Sequence, residues 1–91
     1  MKVTNLKSTS GNPVANQFVI DTNKGYIFQS YDSTIAYMDY NSRGVKLDKT
    51  YWNYSRTTSK YRNQFLNETT KETQAKIDSG EYTLTNLNEG A

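Results

Sequence analysis

The feature that most constrains this chain is a change in the spacing of its apolar residues at Asp48. Before that point apolar side chains come in short runs with a period of two, the pattern of strands whose side chains alternate between faces. Residues 2–8 form a weak strand, with Val3 on one side and Leu6 out of phase. Val14–Asp21 carries Phe18 and Ile20 on one face and Val19 on the other. Tyr26–Tyr31, rich in aromatic and β-branched residues, is the clearest strand. Thr34–Tyr40 sets Ile35, Tyr37 and Asp39 against Ala36, Met38 and Tyr40, and Val45–Leu47 is a short strand. Ser10-Gly11-Asn12-Pro13, Thr22-Asn23-Lys24-Gly25, Asp32-Ser33 and Asn41-Ser42-Arg43-Gly44 supply the turns, because Gly, Asn and Pro accept or fix the backbone angles a reversal needs. The spacing predicts an antiparallel meander.

After Asp48 the period lengthens. Tyr54, Thr58, Tyr61 and Phe65 fall at offsets of 4, 3 and 4 and form one stripe of a helix, predicted over Ser55–Leu66 and stopped at Asn67. A shorter helix starts near Thr69, where Thr69 and Glu72 have capping-box spacing, and ends at Gly80. Its apolar face is only Ile77 with Thr73 or Ala75. Glu81–Leu87 reads as a closing strand with Tyr82 and Leu84 on one face. The expected fold class is α+β, a mostly antiparallel sheet of about four to six strands with two consecutive helices packed on one face and a C-terminal strand. One domain is expected over residues 1–88, with 89–91 a disordered C-terminal end.

Composition narrows the chemistry. Of 91 residues only 34% are apolar, so the core must be small and lean on eight Tyr, three Phe and one Trp. Without Cys there is no disulfide, thiol nucleophile or zinc–thiolate site. Without His there is no Ser-His-Asp triad and no imidazole-bound metal. The five glycines are scattered singly, so no phosphate-binding loop is present and no cofactor is implied. Glu68 and Glu72 share a helix start, which capping and the helix dipole explain without a metal. No apolar run is long enough for a signal peptide or a membrane span, so the expected compartment is the cytoplasm.

The net charge of +2 conceals an uneven distribution. Residues 1–42 balance, residues 43–66 carry Arg43, Lys46, Lys49, Arg56, Lys60 and Arg62 against Asp48 alone, and residues 67–91 are net acidic. The basic stretch also holds Tyr51, Trp52, Tyr54, Tyr61 and Phe65. Cations that neutralise phosphates, interleaved with rings on which bases stack, are what single-stranded nucleic-acid sites use. At about 100° per residue, Tyr54, Tyr61 and Phe65 share a core-facing stripe, Arg56 and Lys60 point away from it, and Arg62 lies on a flank. Of Tyr51 and Trp52, which precede the helix, one is expected in the core and the other as an exposed platform. The candidate binding residues are therefore Arg43, Lys46, Lys49, Tyr51, Trp52, Arg56, Lys60 and Arg62, with no catalytic residue and no metal ligand. The partner is nucleic acid or, since Tyr, Trp and Arg also dominate protein interfaces, a host protein. A homodimer through a polar sheet face or an unpaired edge strand is left open. A third reading is a His-free ribonuclease using Arg56, Lys60, Tyr61 and Arg62 around the charged phosphorane.

The stretch from Tyr51-Trp52-Asn53-Tyr54 through Gln64-Phe65-Leu66 resembles an uncharacterised family of small bacteriophage and mobile-element proteins. Val14-Ala15-Asn16-Gln17-Phe18, Phe28-Gln29-Ser30-Tyr31 and the Lys71-Glu72-Thr73 and Ser79-Gly80-Glu81-Tyr82 segments add to the likeness, which covers nearly the whole chain. As a domain of unknown function, the family transfers no catalytic residue and no ligand. The resemblance implies a phage or mobile-element origin and, by analogy, a protein that acts by binding, for example against a host defence nuclease.

Overall fold

The computed structural model describes residues 1–42 and 44–88. Six strands form one sheet in chain order: β1 (Lys2–Lys7), β2 (Pro13–Asp21), β3 (Gly25–Ser30), β4 (Ser33–Asp39), β5 (Val45–Asp48) and β6 (Tyr82–Thr85). Helices α1 (Arg56–Leu66) and α2 (Thr70–Asp78) lie between β5 and β6. The first five strands are antiparallel neighbours, as the meander predicts, whereas β6 runs parallel to β5. Parallel neighbours cannot be joined by a tight turn, and the helical pair is the crossover between them. The architecture is the expected α+β one, with a mixed sheet.

Local chemistry fixes the helix ends. Ser55 caps α1 by accepting the Thr58 N–H, and Asn67 closes it in the left-handed region at φ 57°. Thr69 and Glu72 exchange side-chain and backbone hydrogen bonds at 2.9 and 3.1 Å, the reciprocal capping box that starts α2. Gly80, at φ 84°, follows its end.

The core is formed by Phe28, Ile35, Ala36, Val45, Leu47, Tyr61, Leu66 and Tyr82. Phe65 stacks on Phe28 with centroids 5.8 Å apart, and Thr58 shares a 2.9 Å hydrogen bond with Ser30. These contacts seat α1 on the sheet face that carries Phe28, Ala36 and Leu47, which are register partners across β3, β4 and β5. The strict alternation expected for β4 fails at one point. Phe28 pairs with Ala36 and Gln29 with Thr34, leaving Ile35 as an extra residue in a bulge. Both Ile35 and Ala36 are consequently fully buried. At the other end of the β3–β4 hairpin Gly25 is obligatory, since a Cβ there would stand 2.1 Å from the Met38 carbonyl oxygen. The segment 89–91, expected as a disordered end, lies outside the described residues.

Candidate nucleic-acid interface

The basic and aromatic segment is a tight loop, residues 49–55, between β5 and α1, and a buried charge pins it at each end. At the β5 end the Asp48 carboxylate, 1% exposed, accepts the backbone N–H groups of Thr50 at 3.0 Å, Tyr51 at 2.8 Å and Leu87 at 2.8 Å. An Asp at a strand end that bonds backbone two and three residues on is an Asx turn, which bends the chain out of the sheet. Burial is the largest single influence on this carboxyl and raises its pKa. The donors from Leu87, Tyr51 and Thr50, with the Asn88 side chain, together outweigh burial and hold the group below its ordinary value.

At the α1 end stands Arg62, which is fully buried. One guanidinium nitrogen donates to the Trp52 carbonyl and to Asn53 Oδ1 at 3.1 Å, and the other to Asn63 Oδ1 at 2.8 Å and Thr70 Oγ1 at 2.9 Å. The cation also lies 5.0 Å from the centre of the Trp52 ring. A planar fork bonding in two directions can join three elements, and here it ties the loop, α1 and the first turn of α2. Burial is the main influence and lowers its pKa, while Glu68 opposes that. Ser59 adds a 2.5 Å hydrogen bond to Asn53 Oδ1.

Arg62 is therefore a correction to the sequence reading. Expected on a binding face, it is an interior strut, because the α1 stripe in contact with the rest of the protein is wider than the aromatic spacing indicated. The buried set is Thr58, Tyr61, Arg62 and Leu66. Lys46 is displaced as well. It alternates with buried Val45 and Leu47, so it projects from the sheet face opposite the helices, beside Tyr37 and Thr83. Arg43 lies outside the described residues. Trp52 is half-buried over Arg62 and packs against the core.

What remains exposed is Lys49 on the loop and Arg56 and Lys60 on the start of α1, with half-buried Tyr51 on the loop. Tyr54 joins them: expected on the core stripe, it precedes the helix, is 47% exposed and packs edge-on to Tyr51 at 5.3 Å. Sequence reasoning missed Tyr54 because the offset of 4 to Thr58 extends the helical stripe one turn past the Ser55 cap. It missed Asp48 and Asn53 as loop anchors, although an Asp at a strand end before Lys-Thr is a readable Asx-turn signal.

Among the described residues, no carboxylate of the acidic C-terminal part pairs with these cations. Glu68 is an interior group that accepts from Lys76 at 2.7 Å, Tyr82 at 2.8 Å and Thr73 at 2.5 Å. Burial raises its pKa, and these hydrogen bonds and the Lys76 charge overcome that and lower it. Burial, then the same carboxylate, pushes the Tyr82 phenol up to about 12. Among the described residues Lys76–Glu68 is the only ion pair, so Lys49, Arg56 and Lys60 have no carboxylate partner there.

Two shallow cavities lie elsewhere, one lined by Tyr26, Met38, Asp39 and Tyr40 and the other beside Lys46 and Glu81. Among the described residues no three His, Cys, Asp or Glu side chains gather, and no helix is long and apolar enough to cross a membrane.

Comparison with curated proteins and with solved structures gave no match. A family model described as a family of unknown function (DUF8033) matches residues 1–81. That span takes in all six regular elements from β1 to α1, together with α2, the pinned loop and the exposed cations Lys49, Arg56 and Lys60, so the chain belongs to this family of unknown function, DUF8033.

Proposed function

We propose that this protein is a non-enzymatic binding protein, of phage or mobile-element origin and acting in the bacterial cytoplasm, that holds single-stranded nucleic acid on the loop 49–55 and the first two turns of α1. One observation carries the reading: Lys49, Arg56 and Lys60, on the loop and the start of α1, are exposed without a carboxylate partner among the described residues, as is the Tyr54 ring between them in the chain, and the loop is held in place by Asp48 and Arg62. Arg56 and Lys60 are one helical turn apart on the same side of α1 and suit neighbouring phosphates. Tyr54, backed edge-on by Tyr51, offers a ring face to a base. The fixed loop lowers the ordering cost of binding.

The test is titration into labelled single-stranded and duplex oligonucleotides at low and moderate salt. With about three phosphates neutralised on a single strand, log K should fall against log salt with a slope near −2. Arg56→Glu with Lys60→Glu should abolish binding. Absence of binding at low salt rejects nucleic acid as the partner and leaves the second reading, a host-protein inhibitor that uses the same Tyr and Arg surface. The ribonuclease reading is not put forward, since Tyr61 and Arg62, two of its four groups, are buried.

A further inference from the structure

Antiparallel sheets with helices on one side ordinarily turn apolar side chains toward the helices and polar ones to water. At Val3 in β1 and at Phe18 and Ile20 in β2 apolar side chains instead face away from the helices, while Val19, opposite Phe28, and Leu6 and Val14, packed on the core, follow the rule. The register places Val3 opposite Ile20, Ile20 opposite Ile27 and Ile27 opposite Tyr37, a row crossing four strands. Phe18 stands beside that row in β2, two residues from Ile20 and therefore on the same face. The alternate residues Gln17, Val19 and Asp21 share the other face with Phe28's side of the sheet, the side that α1 and α2 cover. Phe18, Ile20, Ile27 and Tyr37 are half-buried by one another, not by the core, whose satellite side chains are others. Val3 is 58% exposed.

The reversal has a cost. Gln17 is fully buried under the helices, and neither its amide nitrogen nor its oxygen has a hydrogen-bond partner. Slipping β2 by one residue would bury Phe18 and Ile20 and return the Gln17 carboxamide to water. A chain that keeps the unfavourable register presents its apolar row outward.

We propose that this bare sheet face is the interface of a homodimer, in which two copies stack their sheets face to face as a sandwich, about 10 Å apart. A second copy fits on charge and on size. The row and its neighbours Asn5, Phe18 and Gln29 carry no charge, and the charges beyond Tyr37 are of both signs, Asp39 and Glu81 with Lys46, so that a second copy can pair them. A neutral apolar centre with a polar edge is the anatomy of a specific interface. The whole outer face of the six strands, with Lys46 and Thr83 on β5 and β6 included, spans roughly 24 by 20 Å, or about 500 Å² in projection, and two such faces reach the ~1,000 Å² that a specific contact needs. The occupant also supplies what the monomer lacks, since its own core holds only eight buried apolar residues. The basic loops lie on the helix side, so the dimer leaves both exposed.

Sedimentation equilibrium over a wide concentration range tests this. The full chain should rise from 10.4 kDa toward twice that mass. Val3→Glu, at an exposed position that the fold does not need, and Ile27→Lys, at the centre of the row, should each hold it at the monomer mass with an unchanged far-ultraviolet circular dichroism spectrum. The chain has no cysteine, so Gln29→Cys should cross-link under mild oxidation and Glu72→Cys, on the helix side, should not. A monomer at every concentration overturns the proposal and assigns the face to another partner. A dimer that survives Val3→Glu, or that cross-links through Glu72→Cys alone, also overturns it, whatever becomes of the Ile27 variant.

Discussion

Asp48 and Lys49 are chain neighbours at the end of β5, and Lys60 and Arg62 are two residues apart on α1, yet within each pair one charge is interior and the other faces water. The buried members, Asp48 and Arg62, spend their hydrogen-bonding capacity on backbone and side-chain groups of the loop 49–55 and its flanks. The exposed members, with Arg56, have no acid partner among the described residues. Net charge treats all of them alike. Tertiary structure divides them into groups that build a surface and groups that present it, and the two kinds should answer to different measurements: stability for the first, salt-dependent affinity for the second.

The sharpest break of that comparison is Arg62→Met. It removes donors from five acceptors and leaves Glu68 with one fewer cation nearby, so stability should fall by about 3 kcal/mol or more. Urea unfolding would read this directly, and a thermal midpoint lower by at least ~10 °C would accompany it. Arg62→Lys should recover only part of the loss, because a single ammonium cannot bond both Asn53 and Thr70 as the fork does. A variant as stable as the parent would show that Arg62 is not a strut.

Asp48→Asn comes next, at about 1–2 kcal/mol, since one amide oxygen replaces a charged carboxylate that accepts three N–H groups. A pH series sharpens the same point. Asp48 and Glu68 both sit below their ordinary values of 3.8 and 4.5, so the folded protein binds their protons less readily than the unfolded chain. Their stabilisation is complete above those values and is lost as pH falls through the folded ones. Asp48→Asn and Glu68→Gln should each flatten the acid limb of a stability–pH curve. Tyr82 has the opposite sign: its phenol is raised from 10.0 to about 12, so its contribution is present below pH 10 and lost as pH rises toward 12.

The smallest effects on stability belong to the exposed set. Arg56→Glu with Lys60→Glu should change unfolding free energy by no more than about 0.5 kcal/mol, while removing nucleic-acid binding. Tyr54→Ala should leave stability near the parent's and weaken binding by about 1–3 kcal/mol, the worth of one stacked base, in a fluorescence titration. If Tyr54→Ala destabilises the protein without touching affinity, its ring belongs with the struts.

Much of the fold was legible because local rules carry it. The change of period at Asp48, the stop at Asn67 and the Thr69–Glu72 box each depend on neighbours within a few residues, and each is where the sequence places it. The site was less legible. Lys49, Arg56 and Lys60 are exposed as expected, but Lys46 projects from the sheet face opposite the helices, because a strand sends successive side chains to opposite faces. Tyr54 and Arg62 exchange the positions expected of them. A helical stripe read from aromatic spacing says which side of α1 meets the sheet, but not that a guanidinium fills the gap between α1, α2 and the loop.

By itself, then, the sequence determined the element order, the strand-to-helix boundary, the caps and the chemistry that lacking His and Cys removes, since all of these are short-range or compositional. Tertiary structure alone decided the parallel seat of β6, the bulge that buries Ile35 with Ala36, the interior role of Arg62 and Asp48, and the outward turn of the Val3–Tyr37 row. Each of those depends on which distant segments meet, and a side chain's burial is a property of what packs over it rather than of its own place in a period.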